Sequence, residues 1–304
     1  MDIIRDSLDL IGNTPLLLVK NLDTGPCNLY LKLESFNLGG SIKDRPAKNM
    51  IIEAENKGLL KKGGTIVEAT AGNTGIALAI MAVKRGYKVV IIVPDKMTIE
   101  KVYHLKALGA EVIVARSDVV NGHPEYYLEI AKRIAKERKA FYINQFSNQA
   151  NIKSHIKDLG PEIYKQLDGK IHAFVAGVGT GGTISGIGKF LKSKNKKCEL
   201  VLADPKGSIL KDLIKTGKIN KNVGSWIVEG IGEDFCPPLL DASLVDHAYS
   251  ITDFEAINSC RKLLQNEGIL AGSSSGTLLA TALKFCKSQK VKKNVVTLIC
   301  DAGD

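Results

Sequence analysis

Short runs of β-branched and apolar residues alternate with amphipathic stretches along most of the chain, and this alternation limits the possible folds more than any other feature. Strand character is found at 28–33, 65–69, 89–93, 111–115, 140–143, 172–176, 199–203 and 294–299. Helical periodicity fills the intervals at 41–57, 74–85, 125–137, 183–193 and 253–267. Near-continuous apolar strands joined through helices predict parallel sheets covered on both faces, an α/β fold. No repeat, low-complexity tract or Pro/Ser-rich linker interrupts the pattern.

The chain has 304 residues, 44% of them hydrophobic, enough for two domains sharing a cleft. Its net charge is +10, yet the lysines fall in short separated groups, such as Lys192, Lys194, Lys196 and Lys197. No basic stretch is interleaved with aromatics, so nucleic acid is not an expected partner; a basic surface favours small anions. No apolar run approaches the roughly 18 residues of a membrane span, so no membrane partner is expected. The first ten residues carry three acids and one base, unlike a signal peptide, and the expected location is cytoplasmic. Cys27, Cys198, Cys236, Cys260, Cys286 and Cys300 form no C-x-x-C pair, and the five histidines show no ligand spacing. No metal site is expected, and the thiols are expected to be reduced.

Four turns carry candidate chemistry. Gly39-Gly40-Ser41-Ile42-Lys43-Asp44-Arg45 follows a strand and opens a helix, with Ser41 as a candidate cap and Asp44 suited to a first turn. Lys43 then stands where α/β folds place ligands, and a deprotonated amine there can form an imine. Thr70-Ala71-Gly72-Asn73-Thr74-Gly75 is a second strand-to-helix turn, whose backbone N–H groups and short polar side chains suit a carboxylate. Gly177-Val178-Gly179-Thr180-Gly181-Gly182-Thr183 can close backbone amides on a phosphate. It also satisfies G-x-G-x-x-G through Gly177, Gly179 and Gly182, and Asp204 ends the next strand. An NAD-binding Rossmann oxidoreductase is therefore a rival reading. Gly272-Ser273-Ser274-Ser275-Gly276 opens a last helix, where one serine is expected to cap and another to be available to a ligand.

Taken together these stretches resemble the fold-type II pyridoxal-phosphate enzymes, and within them the cysteine synthase and cystathionine β-synthase family. The resemblance also takes in Ile11-Gly12-Asn13-Thr14-Pro15-Leu16, Pro94-Asp95-Lys96-Met97, Leu108-Gly109-Ala110-Glu111, Asn144-Gln145-Phe146-Ser147-Asn148 and Glu229-Gly230-Ile231-Gly232. It implies pyridoxal 5′-phosphate as cofactor, with Lys43 as the Schiff-base lysine. Asn73 would face the cofactor's phenolic oxygen, and Gly179, Thr180, Gly181, Gly182 and Thr183 would form the phosphate cup. Ser274 would face the pyridine nitrogen. Thr70, Ala71, Thr74 and Gln145 would contact the substrate carboxylate. Ala71 departs from the serine of many cysteine synthases, which bears on substrate preference. A neutral Ser274 cannot hold the pyridine nitrogen protonated as an aspartate would, so the ring is a weaker electron sink suited to β-elimination. Lys43 is the base beside Cα, and the resemblance implies an aminoacrylate to which a thiol adds.

The fold implied is two doubly wound, three-layer αβα domains of the tryptophan synthase β type. Residues 40–145 would form a small domain carrying Lys43 and the carboxylate loop, and 1–39 with 146–304 a large one, with the cofactor between them. The resemblance further implies a homodimer. Asp204-Pro205-Lys206-Gly207-Ser208-Ile209-Leu210 and Glu229-Gly230-Ile231-Gly232-Glu233-Asp234-Phe235 resemble the cystathionine branch, although Lys206 replaces its usual acid. Cystathionine synthesis from serine or O-acetylserine and homocysteine is the expected reaction, with cysteine synthesis from O-acetylserine and sulfide as the alternative. Only eleven residues precede Gly12 and the sequence stops at Asp304, so neither a haem-binding extension nor tandem regulatory domains, with their response to S-adenosylmethionine, are expected.

Overall fold

The computed structural model describes residues 3–70, 72–119, 122–219 and 223–303. The strands are β1 (Leu16–Leu18), β2 (Asn28–Leu33), β3 (Thr65–Ala69), β4 (Lys88–Pro94), β5 (Glu111–Ala115), β6 (Phe141–Tyr142), β7 (Ala173–Ala176), β8 (Glu199–Pro205), β9 (His247–Ile251) and β10 (Asn294–Ile299). The first helices are α1 (Asp44–Asn56), α2 (Asn73–Arg85), α3 (Ile99–Ala107) and α4 (Tyr127–Glu137). Next, α5 (Gln149–Ser154) runs through a π-helical turn (His155–Leu159) into α6 (Gly160–Gln166). Then come α7 (Gly182–Lys194), α8 (Leu210–Thr216), α9 (Asp253–Glu267) and α10 (Ser273–Lys287). The fold is α/β with two sheets, and the chain divides into two compact units. One holds the residues up to Ile42 and those from Ile152 on; the other is Lys43–Asn151.

In the Lys43–Asn151 unit the strand order is β5-β4-β3-β6, all parallel. The chain adds strands in one direction from β3 to β5, then returns to the other side of β3 with β6. The order therefore reverses between β3 and β6, and ligands of such sheets bind beyond the carboxyl ends of the two strands at the reversal. Strand β4 is buried from Val89 to Pro94, and α4 lays Ile130, Ala131, Ile134 and Ala135 into a core with Val67, Ala69, Val90 and Ile92. That i, i+1, i+4, i+5 spacing is one face of a helix.

In the other unit the order is β1-β2-β10-β7-β8-β9. All neighbours pair in parallel except β1, which runs antiparallel to β2 at the edge, where the sequence predicts no strand. Here the reversal lies between β7 and β10. Helix α9 opens with a complete capping box, Thr252 with Glu255, and closes on Gly268 at φ 71°.

The Gly12-Asn13-Thr14-Pro15 motif serves the frame of this unit. Gly12 N–H donates to Asn37 Oδ1 (2.8 Å), and the N–H groups of Asn13 and Thr14 donate to the Glu162 carboxylate (3.0 and 2.9 Å). The same carboxylate pairs with Lys32 Nζ, a fully buried ammonium on β2. Such a pair is weak net stabilisation when intact, but removing one partner strands a buried charge and costs about 3–5 kcal/mol. Among the described residues no helix is long and apolar enough to cross a membrane.

Candidate active site

At the reversal of the larger sheet, β7 ends at Ala176 and runs into the glycine turn. Gly181 sits at φ 84°, a left-handed conformation that glycine adopts without strain, and is the N-cap of α7. No side chain caps this helix. A Cβ at Gly179 would stand 2.4 Å from the Gly230 carbonyl oxygen, and one at Gly181 would stand 2.6 Å from Leu240 N. Gly179 and Gly181 therefore have no room for a side chain, and the turn offers backbone N–H groups at a helix N-terminus, where anions are favoured. Thr180 Oγ1 accepts from Gly182 N (3.4 Å), and the Thr183 hydroxyl lies 3.3 Å from Nε2 of buried His155. Nothing in the spacing of the histidines pointed to His155; its place behind the turn comes from the helical run 149–166, which carried no clear periodicity.

The neighbouring strand, β10, ends at Ile299 on the same edge. The three serines of α10 divide their work there. Ser273 Oγ accepts from Glu229 N (3.1 Å), and Ser275 Oγ accepts from Cys300 N (2.9 Å). Ser274 is 5% exposed, and its hydroxyl has no hydrogen-bond partner among the described residues. No serine caps α10, contrary to the sequence expectation; its N-cap is Gly272, without a side-chain bond.

In the smaller unit the loops after β3 and β6 meet at that sheet's reversal. Gly72 N–H donates to Thr70 Oγ1 (3.3 Å), and α2 begins at Asn73 with no side-chain cap. Thr74 Oγ1 donates to Gln145 Oε1 (2.8 Å), with both side chains buried. Thr70 is also buried. Ala71 lies outside the described residues. Lys43 is the half-buried N-cap of α1, in right-handed helical conformation, and its carbonyl accepts from Ala47 N (3.0 Å). It stands ten residues beyond the end of β2, separated from it by a 3-10 turn at Glu34–Phe36, rather than directly at a strand end. Ser41 does not cap α1 but bridges to Asp301.

Sequence reasoning missed Glu68, a fully buried acid in the apolar strand β3. Its Oε2 accepts from Gln145 N (3.3 Å), and burial pushes its carboxyl up to about 8. The signal available was a lone carboxylate inside a buried parallel strand, where an acid needs partners. Asp204, the ribose-binding acid of the dinucleotide reading, is buried, and its Oδ2 accepts from Lys211 N (2.8 Å) in the first turn of α8. Burial pushes this carboxyl up to about 6. Glu233 is half-buried, with Oε1 4.0 Å from where a Cβ of Gly179 would stand. Its side chain has no hydrogen-bond partner among the described residues, and burial, then Asp234, push it up to about 8. Among the described residues no group of three or more His, Cys, Asp or Glu is arranged to hold a metal ion.

Comparison with known proteins matches residues 8–301 to the family of pyridoxal-phosphate dependent enzymes. The chain belongs to that family. As a pyridoxal-phosphate dependent enzyme it is 43% identical over 303 residues to cystathionine β-synthase of Apis mellifera, covering 98% of this chain and 60% of that protein. It is 41% identical over 306 residues to the O-acetylserine dependent cystathionine β-synthase of Bacillus subtilis, covering 100% of this chain and 96% of that one. The crystal structure of a hydrogen sulfide-producing enzyme from Fusobacterium nucleatum superposes with TM-score 0.90 at 37% identity, covering 99% of both chains. The chain spans 54–60% of the length of the first animal and yeast cystathionine β-synthases it matches. Membership in this family sets the dinucleotide reading aside.

The residues fit pyridoxal phosphate. The glycines of the turn pack directly against Gly230, Ile231 and Leu240, which holds its backbone at the start of a 13-residue helix whose N-cap offers no side chain. Ser274 is a mostly buried residue whose hydroxyl no described residue engages, suited to a neutral ring nitrogen.

Proposed function

We propose that this enzyme replaces the β-substituent of serine or O-acetylserine with the thiol of homocysteine, forming cystathionine. Bound pyridoxal phosphate supplies the electron sink that acidifies the Cα proton. Lys43 would anchor the cofactor and, once displaced by substrate, take that proton on Nζ. Gly179, Thr180, Gly181, Gly182 and Thr183 would hold the phosphate, Asn73 the phenolic oxygen, and Ser274 the pyridine nitrogen. Thr70, Ala71, Thr74 and Gln145 would hold the substrate carboxylate; at Ala71 this falls to the backbone N–H. We propose a cytoplasmic homodimer, and light scattering of the purified protein tests the subunit count.

The observation that carries the choice of nucleophile is Glu233. The ionised form of a half-buried carboxyl without a side-chain partner, beside the glycine turn, is unfavourable unless a cation joins it. Homocysteine brings an ammonium, whereas sulfide brings none. The Bacillus subtilis relative, matched over nearly its whole length, carries the name of the same reaction. The test is a competition assay with O-acetylserine, homocysteine and sulfide together, products being separated by chromatography. Mostly cystathionine is expected, with the preference reduced in Glu233→Gln. Mostly cysteine would make cysteine synthesis the function. Repeating the assay with serine identifies the donor.

A further inference from the structure

Strand β3 is one of the two inner strands of its four-stranded sheet, with Ile66, Val67 and Ala69 wholly buried. Glu68, equally buried, is out of character there, because an acid in that position loses its hydration. What offsets the loss is the turn after β6. Asn144 takes φ 52°, in the left-handed region that asparagine tolerates, and the next backbone N–H, that of Gln145, meets the buried carboxyl. The N–H of Gln145 donates to Glu68 Oε2 (3.3 Å), while Oε1 is buried without a partner among the described residues. On the other side of the same residue, Asn151 Nδ2 donates to the Gln145 carbonyl (3.0 Å). Gln145 is thus fixed through both its backbone polar groups, and its side chain spans to Thr74.

We infer that Glu68 is a positioning residue: by accepting the N–H of Gln145 it sets that residue in the turn after β6, and through Gln145 the affinity for the amino-acid donor. The inference rests on the reading of Thr74 and Gln145 as substrate-carboxylate contacts. An apolar residue at position 68 would leave the Gln145 N–H buried and unpaired, whereas one carbonyl oxygen of the right reach satisfies it. The role therefore depends on side-chain length and an acceptor oxygen, and not on charge.

The test compares Glu68→Asp, Glu68→Gln and Gln145→Ala as cofactor-loaded enzymes. Donor KM and kcat, L-serine affinity from the cofactor's absorbance change, and the thermal midpoint are measured for each. Aspartate is one methylene short of the turn. It is expected to raise donor KM and weaken serine binding about tenfold, with kcat changed less than about threefold. Glutamine keeps the acceptor and is expected to stay within about threefold of wild type in KM. Wild-type KM in Glu68→Asp, or equal losses in Asp and Gln, would overturn the inference. A fall in thermal midpoint and cofactor content without the KM effect would reduce Glu68 to a packing role and equally overturn it. Gln145→Ala separates the two levels of the argument. If it leaves donor KM unchanged, the carboxylate-loop reading fails; if it raises KM while Glu68→Asp does not, only the role of Glu68 fails.

Discussion

The hydroxyl of Thr74 donates to Oε1 of Gln145 across 2.8 Å, joining the loop after β3 to the loop after β6. Both side chains are buried, so the bond cannot be replaced by bulk water. Thr74→Val keeps the shape and removes the donor. Gln145 Oε1 is then left unpaired, and a stranded buried acceptor costs about 1–3 kcal/mol. We expect the loss to fall on donor binding: KM for O-acetylserine should rise about tenfold, the equivalent of about 1.4 kcal/mol, with cofactor content unchanged. Unchanged donor KM would mean that this pair only braces the two loops.

Lys43 begins its unit's first helix, and its amine is the group proposed to carry both the cofactor and the Cα proton. Lys43→Ala should abolish turnover while retaining some cofactor through the glycine turn. Loss of at least about 10³-fold in kcat is the expected scale when anchor and base go together. Absorbance after gel filtration reports the retained cofactor, and turnover near wild type would exclude the assignment.

Among the serines of α10, Ser274 alone has no structural bond, so its loss and those of its neighbours should read differently. Ser273→Ala and Ser275→Ala each remove a backbone N–H acceptor and should cost about 1 kcal/mol of stability. Ser274→Ala should leave the thermal midpoint near wild type but shift the cofactor absorbance and slow turnover. Ser274→Asp should slow β-replacement further by holding the ring nitrogen protonated. If Ser273→Ala or Ser275→Ala carries the spectral change instead, the register of the serine assignment is wrong.

Much of this arrangement was legible in the sequence because its signals are local. β2, β3, β5 and β10 have the bounds their apolar runs predict, and α9 starts and stops at its capping box and Gly268. The glycine turn was readable because so many glycines in one turn suggest close backbone approach. β1 was missed because three residues on an antiparallel edge, half exposed, produce no pattern of their own. The run from α5 through the π-helical turn to α6 was missed because its buried positions follow a locally widened helix instead of a 3.6 period. The serine cap failed because partners distant in sequence, Glu229 and Cys300, won the hydroxyls. Glu68 was overlooked because its partner, Gln145, lies more than 70 residues away, and a single acid in a strand carries no sign of which loop it serves.

The buried carboxyls make stability depend on pH in a definite direction. Burial raises Glu68 from 4.5 to about 8, Glu233 from 4.5 to about 8 and Asp204 from 3.8 to about 6. Between the unfolded and folded values the native chain holds protons that the unfolded chain has released. Stability therefore falls as pH rises through that window. The contribution is fully present below about 4 and is lost by about 6 for Asp204 and about 8 for the two glutamates. Surface pairs act oppositely and at lower pH. Arg85, Arg138 and Lys284 hold Glu55, Glu111 and Glu255 below the usual range, and their contributions vanish only as pH drops below about 4.5. Exposure to solvent also keeps each of those pairs small. The thermal midpoint should accordingly be highest near pH 5 and decline toward pH 8.5. Glu68→Gln cannot ionise, so its decline over the same range should be shallower than that of wild type. Parallel curves for the two proteins would show that Glu68 does not hold its proton in the folded chain, and the decline would then belong to other groups.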